Sequence, residues 1–321
     1  MLRVIDPFLA AILSAVLAAS LVPCRSAFAD VLHHVSTAAV ALLFFLHGAK
    51  LSREAVVAGI THWRLHALVF GATFVVFPAI GLAIGPIARP LVGDELYQGL
   101  LFLCALPATI QSAVVFTSIA GGNLPAAICS ASLSTLLGIV VTPAVLGLIA
   151  TRSGGPAVSL ASIRDVALEI FLPFAIGKVA RRWIGGCVKR RARMVMYIDR
   201  GTIILVVYVA FSDAVVQRLW QRVTPMQLAA LVVVCAVVLA GILLFTSRAS
   251  RLLGFDRADE ITIVFSGSKK SLASGVAMGK ILFAASSVGT VMLPLMIFHQ
   301  IQLMVCAYIA RRYARSAPRI R

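Results

Sequence analysis

The chain has 321 residues, of which 60% are hydrophobic and only 13% are charged, and its mean hydropathy is +1.00. This composition excludes an ordinary soluble domain and predicts an all-α integral membrane protein that crosses the lipid bilayer many times. The net charge of +17 does not indicate a nucleic-acid partner. The basic residues lie in short loops between apolar runs and do not form one soluble basic surface.

Apolar runs predict ten transmembrane helices, because about 20 residues are needed to cross roughly 30 Å of hydrocarbon. The runs cover residues 7–23, 32–50, 66–88, 97–119, 125–150, 166–184, 201–217, 226–246, 260–283 and 287–310. The sixth run is the weakest, since it carries Glu169, Pro173 and Lys178. Polar breaks interrupt the fourth and the ninth.

Lysine and arginine are concentrated in alternate loops and at both termini, with the densest run at Lys189-Arg190-Arg191. By the positive-inside rule, this pattern predicts that both termini are cytoplasmic and that the protein lies in the cell (plasma or inner) membrane. Ala27-Phe28-Ala29 resembles a signal-peptide cleavage site after the first run. We expect the first helix to be retained, because its loss would leave unequal halves and because Asp6 stands at the head of the supposed hydrophobic region.

The two interrupted runs occupy corresponding positions in the two halves of the chain. The first break is Pro107-Ala108-Thr109-Ile110-Gln111-Ser112, and the second is Ser266-Gly267-Ser268-Lys269-Lys270-Ser271. Paired interrupted helices are the best sequence indication of the binding site of a secondary transporter. Backbone that unwinds inside a bilayer must be buried by protein or line a watery cavity, so we expect such a cavity at the breaks.

Five spans in each half place the halves in opposite orientations, as in transporters that work by alternating access. The sequence therefore predicts a first five-helix repeat over 1–150, a second, inverted repeat over 151–312, and a basic tail over 313–321. The breaks near 107–112 and 266–271 fall in the fourth and ninth helices, which we expect to cross.

Sequence motifs for catalysis, metal binding and disulfides are absent. The chain contains no HExxH, GxSxG or GxxxxGK[ST] motif, and its six cysteines show no CxxC or Cys/His ligand spacing. We therefore expect neither an enzyme nor a bound cofactor, apart from Na⁺ or H⁺ as a coupling ion.

Several motifs are similar to those of the bile acid:sodium symporter family, solute carrier family 10. The stretch from Leu103 to Pro143 contains the Pro-x-x-x-x-Ser break, a Gly-Asn turn and a Ser-x-Ser-Thr-Leu run, and it resembles the family's fourth and fifth helices. The stretch from Gly267 to Ala273, together with His299, resembles the ninth and tenth. The two breaks are most similar to a divergent branch related to the family's seventh vertebrate member.

This resemblance implies ten helices, with a four-helix core domain around the crossed breaks and a panel domain of the remaining six. It also implies sodium-coupled transport of an organic anion, such as an amphipathic carboxylate or sulfate. The family's ninth-helix break carries a glutamate and then a Gln-Asn pair that help to coordinate two sodium ions. Here Phe265 and Lys269-Lys270 stand at those places, and Ala113 replaces an asparagine beside Ser112. A sodium site in this chain would be reduced to Gln111, Ser112 and Ser268.

The two lysines of the second break suggest a different cation. A lysine in mid-membrane costs at least about 2.5–3.5 kcal/mol, so it needs a partner or a function. We hypothesise that the ammonium of Lys269 or Lys270 fills the sodium position, held by freed carbonyls, by Gln111, Ser112 and Ser268, and by Asp213. Burial favours an uncharged amine, so such a lysine could also couple transport to protons. The alternative is that both lysines snorkel into a watery vestibule and only set topology.

Further candidate residues for ion or substrate binding are Thr109, Ser130, Ser132, Ser134, Ser271, His299 and Asp213. Each also has a structural interpretation, because serines pack helices closely and an intramembrane histidine or aspartate can serve a helix end or an ion pair. The sequence thus predicts a symporter of a small organic anion. A proton-coupled or ion-independent exchanger and a non-transporting regulator with the transporter fold are the alternatives. Neither the substrate nor the oligomeric state follows from the sequence.

Overall fold

A computed structural model describes residues 7–50, 62–153, 164–216, 218, 221, 223–283 and 285–316. Within these ranges the chain is helical and contains no strand. Asp6 and the last residues of the predicted basic tail lie outside them. The first residues of that tail are the end of a helix.

The described helices are numbered here in chain order. They are α1 Pro7–Leu21, α2 Ser26–Lys50, α3 Trp63–Ala83, α4 Gly85–Val92, α5 Asp94–Ala105, α6 Ile110–Ala120, α7 Leu124–Ser153, α8 Leu172–Arg190, α9 Ala192–Val216, α10 Pro225–Leu252, α11 Arg257–Gly267, α12 Leu272–Leu282 and α13 Ala285–Arg315. A π turn at Ala72–Val76 interrupts α3, and another at Ala167–Phe171 precedes α8.

Six of these helices are long and apolar enough to cross a membrane, namely α2, α3, α7, α9, α10 and α13, and the bent pair α5–α6 makes a seventh. This establishes a multi-pass membrane protein. The apolar part of α1 is shorter. α8 carries Lys178, Arg181 and Arg182, and α11 and α12 are separate helices of 11 residues each. The count of ten spans and the inverted repeat therefore stay predictions.

The chain divides into two compact units, each built from both halves of the sequence. The first unit comprises Met1–Leu51, Val158–Pro225 and Gly275–Met292, and the second comprises Ser52–Ala157, Met226–Ser274 and Leu293–Arg321. The units do not coincide with the predicted repeats 1–150 and 151–312. Both breaks lie in the second, larger unit, whereas the resemblance implied a four-helix core around them.

Within the first unit, α2 and α8 pack with their backbones in contact. A Cβ atom on Gly48 would overlap the carbonyl oxygen of Phe174, and one on Gly177 would overlap the carbonyl oxygen of Phe45. Small residues permit such close approach, which compensates for the absence of a hydrophobic driving force between helices in lipid.

Within the second unit, the starts of α7 and α11 are joined through Asn123. Its side-chain oxygen accepts a hydrogen bond from the amide of Ala126, and its amide group donates to Asp259 Oδ1 at 2.9 Å. Asp256 caps α11 by accepting from the amide of Asp259. Gly121, at φ +75°, adopts the left-handed conformation that ends α6. These contacts fix the helices that carry the two breaks.

The α2–α8 contact predicts opposite effects for two glycine substitutions in the first unit. Gly177→Ala should lower the free energy of unfolding by about 1–3 kcal/mol, because the new methyl group must push the helices apart. Gly201→Ala in α9 meets no atom within 4 Å and should raise it by up to about 1 kcal/mol through helix propensity. Thermal unfolding of the purified variants in one detergent measures both, and an unchanged midpoint for Gly177→Ala would contradict the packing described.

Candidate functional site

The first break separates α5, which ends at Ala105, from α6, which begins at Ile110, and the two helices are bent by 61°. Pro107 accounts for the end of α5, because a proline disfavours the helical conformation of the preceding residue. Leu106 is accordingly extended, at φ −68° and ψ 154°. The break is held against α7 by two hydrogen bonds, from Ala108 N to Ser134 Oγ and from Thr142 Oγ1 to Ala105 O, both 2.9 Å.

The second break separates α11, which ends at Gly267, from α12, which begins at Leu272. Ser271 precedes α12, and its hydroxyl oxygen accepts a hydrogen bond from the amide of Ser274 at 3.1 Å, as an N-capping residue does. The amide of Ser271 donates to the carbonyl of Pro107 at 2.9 Å. The two breaks are therefore in direct contact.

Gln302 of α13 pairs with the backbone of the second break. Its Oε1 accepts from the amide of Lys270, and its Nε2 donates to the carbonyl of the same residue, both at 3.0 Å. Nε2 also lies 2.8 Å from His299 Nδ1. His299 thus contacts the side chain that pairs with the second break.

Lys270 is fully buried, and its ammonium group fills the crossing of the breaks. Nζ donates to the carbonyl oxygens of Thr73 at 2.8 Å and of Cys104 and Leu106 at 2.7 Å each. It also lies 4.1 Å from the ring centroid of Phe77. An ammonium group has three N–H donors, so all of them have a carbonyl partner here.

These three carbonyls are available for identifiable reasons. In the π turn of α3, the amide of Phe77 donates to Ala72 O, which leaves the carbonyl of Thr73 without its usual helical donor. Cys104 and Leu106 lie at the broken end of α5, where carbonyls lose their intrahelical partners and the helix dipole favours a cation. The site therefore suits a cation, and the Lys270 ammonium provides one.

Lys269 is also fully buried, but its ammonium group has a different environment. Nζ donates to the carbonyl of Ser112 at 3.2 Å and lies 3.6 Å from the ring centroid of Phe116 and 5.6 Å from that of Phe265. Cation–π contacts take the place of further oxygen acceptors. Since neither lysine has exposed surface, the snorkelling interpretation does not describe this structure.

The structure brings most of the other predicted residues near the breaks, in varied roles. Ser268 Oγ donates to the carbonyl of Val264 in its own helix, at 2.5 Å. Gln111 is exposed in the first turn of α6, and Thr109 is its N-cap without a side-chain capping bond. Ser112 Oγ is buried and has no hydrogen-bond partner among the described residues. The carbonyls of Thr73, Cys104 and Leu106 are taken by Lys270, and a sodium site at Gln111, Ser112 and Ser268 stays a prediction.

Among the described residues, no hydrogen bond or ion pair joins three other predicted residues to the breaks. Ser130 Oγ is 2.7 Å from His66 Nδ1 in a buried contact between α7 and α3, and Ser132 is half-buried. Asp213 belongs to the first unit, where its Oδ1 lies 3.3 Å from His33 Nε2. The expectation that Asp213 holds an ammonium of the second break is thus not what the structure shows.

Sequence reasoning missed two features of the buried lysines. The carbonyl of Thr73 was not anticipated, although Pro78, two residues after the π turn, signals a disturbed helix. In the first unit, Lys280 Nζ donates to His33 O at 3.0 Å and to the hydroxyls of Ser36 and Thr37. The sequence did contain a signal for this contact, because Lys280 lies inside one apolar span and Ser36 and Thr37 lie inside another.

The difference between the two lysines predicts unequal effects on stability. Lys270→Met leaves three buried carbonyls without a donor and should cost about 3–5 kcal/mol, as removal of one partner from a buried pair does. Lys269→Met leaves one carbonyl unpaired and keeps the two aromatic rings in an apolar environment, so it should cost less, about 1–3 kcal/mol. Denaturation midpoints of the two variants, purified in the same detergent, test the order. A larger loss for Lys269→Met would contradict these roles.

Comparison with known proteins identifies the family of the chain. The sequence pattern of the SBF-like CPA transporter family matches residues 6–315. The chain is 54% identical to an uncharacterized Pseudomonas aeruginosa protein, PA2026, over 97% of this chain and 93% of that protein. It is 49% identical to an Escherichia coli protein named "Putative symporter YfeH", over 99% and 96% of the two chains. It is 30% identical to mouse sodium/bile acid cotransporter 7, over 84% and 80%. The protein therefore belongs to the SBF-like CPA transporter family.

Proposed function

We propose that this protein is a secondary active transporter of a small organic anion and that the Lys270 ammonium occupies the position of a coupling sodium ion. The observation that carries this proposal is the set of three carbonyls, from Thr73, Cys104 and Leu106, around one buried ammonium. Broken helices use freed carbonyls to coordinate coupling cations in secondary transporters. Here the same kind of oxygen cage contains a cation that is covalently attached to the chain.

A tethered cation cannot cross the membrane with the substrate. The energy for uphill transport must then come from a proton or from the exchange of one anion for another. Lys269 is the candidate for proton coupling, because its ammonium has one carbonyl acceptor and two aromatic contacts, whereas that of Lys270 has three carbonyls. Sodium symport, which the resemblance implied, is the runner-up and requires a sodium position elsewhere in the protein.

An organic anion is the substrate class that the site and the relatives favour. The first turn of α6 carries the exposed Gln111, and helix N-termini attract anions through their free amides and their dipole. The mouse relative is named a sodium/bile acid cotransporter. Bile acids are amphipathic anions, and pantothenate-like or sterol-like anions share that chemistry. Movement between inward-open and outward-open states would follow from ten spans in two inverted repeats, the architecture that the sequence predicts.

Alternating access predicts that Gln111 is reached from both sides of the membrane. Gln111→Cys, in a background where the exposed Cys187 is replaced by serine, should react with a membrane-impermeant thiol reagent added on either face of oriented vesicles. Arg89→Cys is the control, because Arg89 is exposed outside the apolar spans and should react from one face only. One-sided reaction of Gln111→Cys would favour the alternative of a locked, non-transporting regulator.

The tethered cation predicts a specific response to sodium. The unmodified protein should have equal thermal stability in sodium, potassium and choline chloride at matched ionic strength. Lys270→Ala opens the carbonyl cage and should gain a sodium-selective stabilisation, by about 2.7 kcal/mol when sodium is at a hundredfold excess over its Kd.

Lys269→Ala is the matched control and should not gain this response, since it leaves the three-carbonyl cage occupied. A sodium-selective shift in the unmodified protein would instead establish a separate sodium site and support sodium symport. If sodium did not stabilise Lys270→Ala more than potassium or choline does, the proposal that Lys270 replaces a sodium ion would be wrong.

A further inference from the structure

A basic cavity lies in the second unit, where α10 and α13 end and α11 begins. Its volume is about 630 Å³, and its lining residues are Arg251, Arg257, Glu260, Tyr308, Ile309, Arg312, Tyr313 and Ser316. A second cavity of about 420 Å³ shares Tyr308, Arg312 and Ser316 with the first and adds Arg311 and Arg315. The two cavities therefore adjoin along the last turns of α13.

The inner wall of the first cavity is a satisfied polar network. Arg251 pairs with Glu260 at 2.9 Å, and Tyr313 donates its hydroxyl to the same carboxylate at 2.9 Å. Arg257 donates to the carbonyl of Tyr313 at 3.0 Å and to Ser316 Oγ at 2.7 Å. The single carboxylate of the lining is thus engaged by Arg251 and Tyr313, and the wall is held in place.

The outer rim carries cations without partners. The guanidinium groups of Arg311, Arg312 and Arg315 are exposed and make no hydrogen bond or ion pair with any residue that the structure describes. A guanidinium presents a planar fork of donors that matches the oxygens of a phosphate group. A phosphate is therefore the chemical group that complements this rim.

The surface of α13 leading to the rim indicates where such a phosphate comes from. Met304 is 58% exposed and Tyr308 is 69% exposed, and the arginines follow within the next two turns. This order, from apolar to aromatic to cationic, is that of a helix face that passes from acyl chains through the interface to lipid headgroups. At the end of α10, Leu252 is 86% exposed as well.

We propose that this cavity binds the phosphate headgroup of an anionic phospholipid, with its acyl chains along the Met304 and Tyr308 face of α13. The site is separate from the crossing of the breaks. It gives the arginines of the last helical turns a specific ligand, beyond their general effect on topology.

The test measures thermal stability of the protein in detergent while phosphatidylglycerol or phosphatidylcholine is added. Phosphatidylglycerol should raise the unfolding midpoint, and phosphatidylcholine, which has no net charge, should not. Arg311→Gln with Arg312→Gln should weaken the apparent affinity for phosphatidylglycerol by about fivefold per arginine. Without lipid, the midpoint of this double variant should equal that of the unmodified protein, because neither side chain has a hydrogen-bond or ion-pair partner among the described residues.

Arg190→Gln with Arg193→Gln is the matched control, since it removes two exposed arginines from the first unit. This control variant should be stabilised by phosphatidylglycerol as much as the unmodified protein is. If both double variants lost the stabilisation equally, the attraction would be non-specific and the proposal would be wrong. Inorganic phosphate forms a separate arm of the experiment. If it stabilised the protein as much as the lipid and the lipid added nothing further, the ligand would be a soluble phosphate and the lipid proposal would be wrong.

Discussion

Backbone amides and carbonyls inside a bilayer must find partners within the protein, because no water is there to replace a missing one. An unbroken helix pairs these groups within itself, whereas the two broken helices leave some of them unpaired. Contacts at the crossing of the breaks provide the missing hydrogen-bond partners. Ser134, Thr142 and Gln302 each pair with backbone groups of the breaks, and Lys270 pairs with three carbonyls at once. One side chain thereby joins α3, the first break and the second, so the site and the packing of the second unit depend on the same interaction.

A tethered ammonium differs from a bound ion in one thermodynamic respect. Occupancy of an ion site depends on ion concentration, whereas the Lys270 side chain is present at fixed stoichiometry whatever the solution contains. If the Lys270 ammonium replaces a coupling ion, as proposed, the charge at the crossing is part of the fold and no ion binding there supplies free energy for coupling. Lys269, with Ser112 O and the rings of Phe116 and Phe265, keeps a charge nearby in a setting with fewer oxygen acceptors. In the proposed mechanism, Lys270 is the structural cation and Lys269 is the group that exchanges a proton, so the two adjacent lysines have different tasks.

The sequence was sufficient to locate the breaks and to place two lysines within the second of them, because proline, glycine and paired lysines inside apolar runs have strong physical consequences. It could not say which lysine meets which carbonyls. The Thr73 carbonyl depends on a π turn, whose hydrogen-bond shift leaves little trace in composition. The sequence left Asp213 open between a binding role and an ion pair for a similar reason, since hydropathy indicates how deep a residue lies in the membrane but not which neighbour it faces. Its partner, His33, is 180 residues away in the chain.

The two compact units are joined by helices at positions that bear on the breaks. The chain passes from the second unit to the first at Ser274–Gly275, within α12 and three residues after Ser271, and returns at Met292–Leu293 within α13. Pro294 follows that return directly and cannot donate to the carbonyl one turn earlier, so α13 has a point of low bending resistance there. Because α12 begins directly after the second break, the residues that carry the cage lysine and its neighbours lie only a few positions before the passage at Ser274–Gly275.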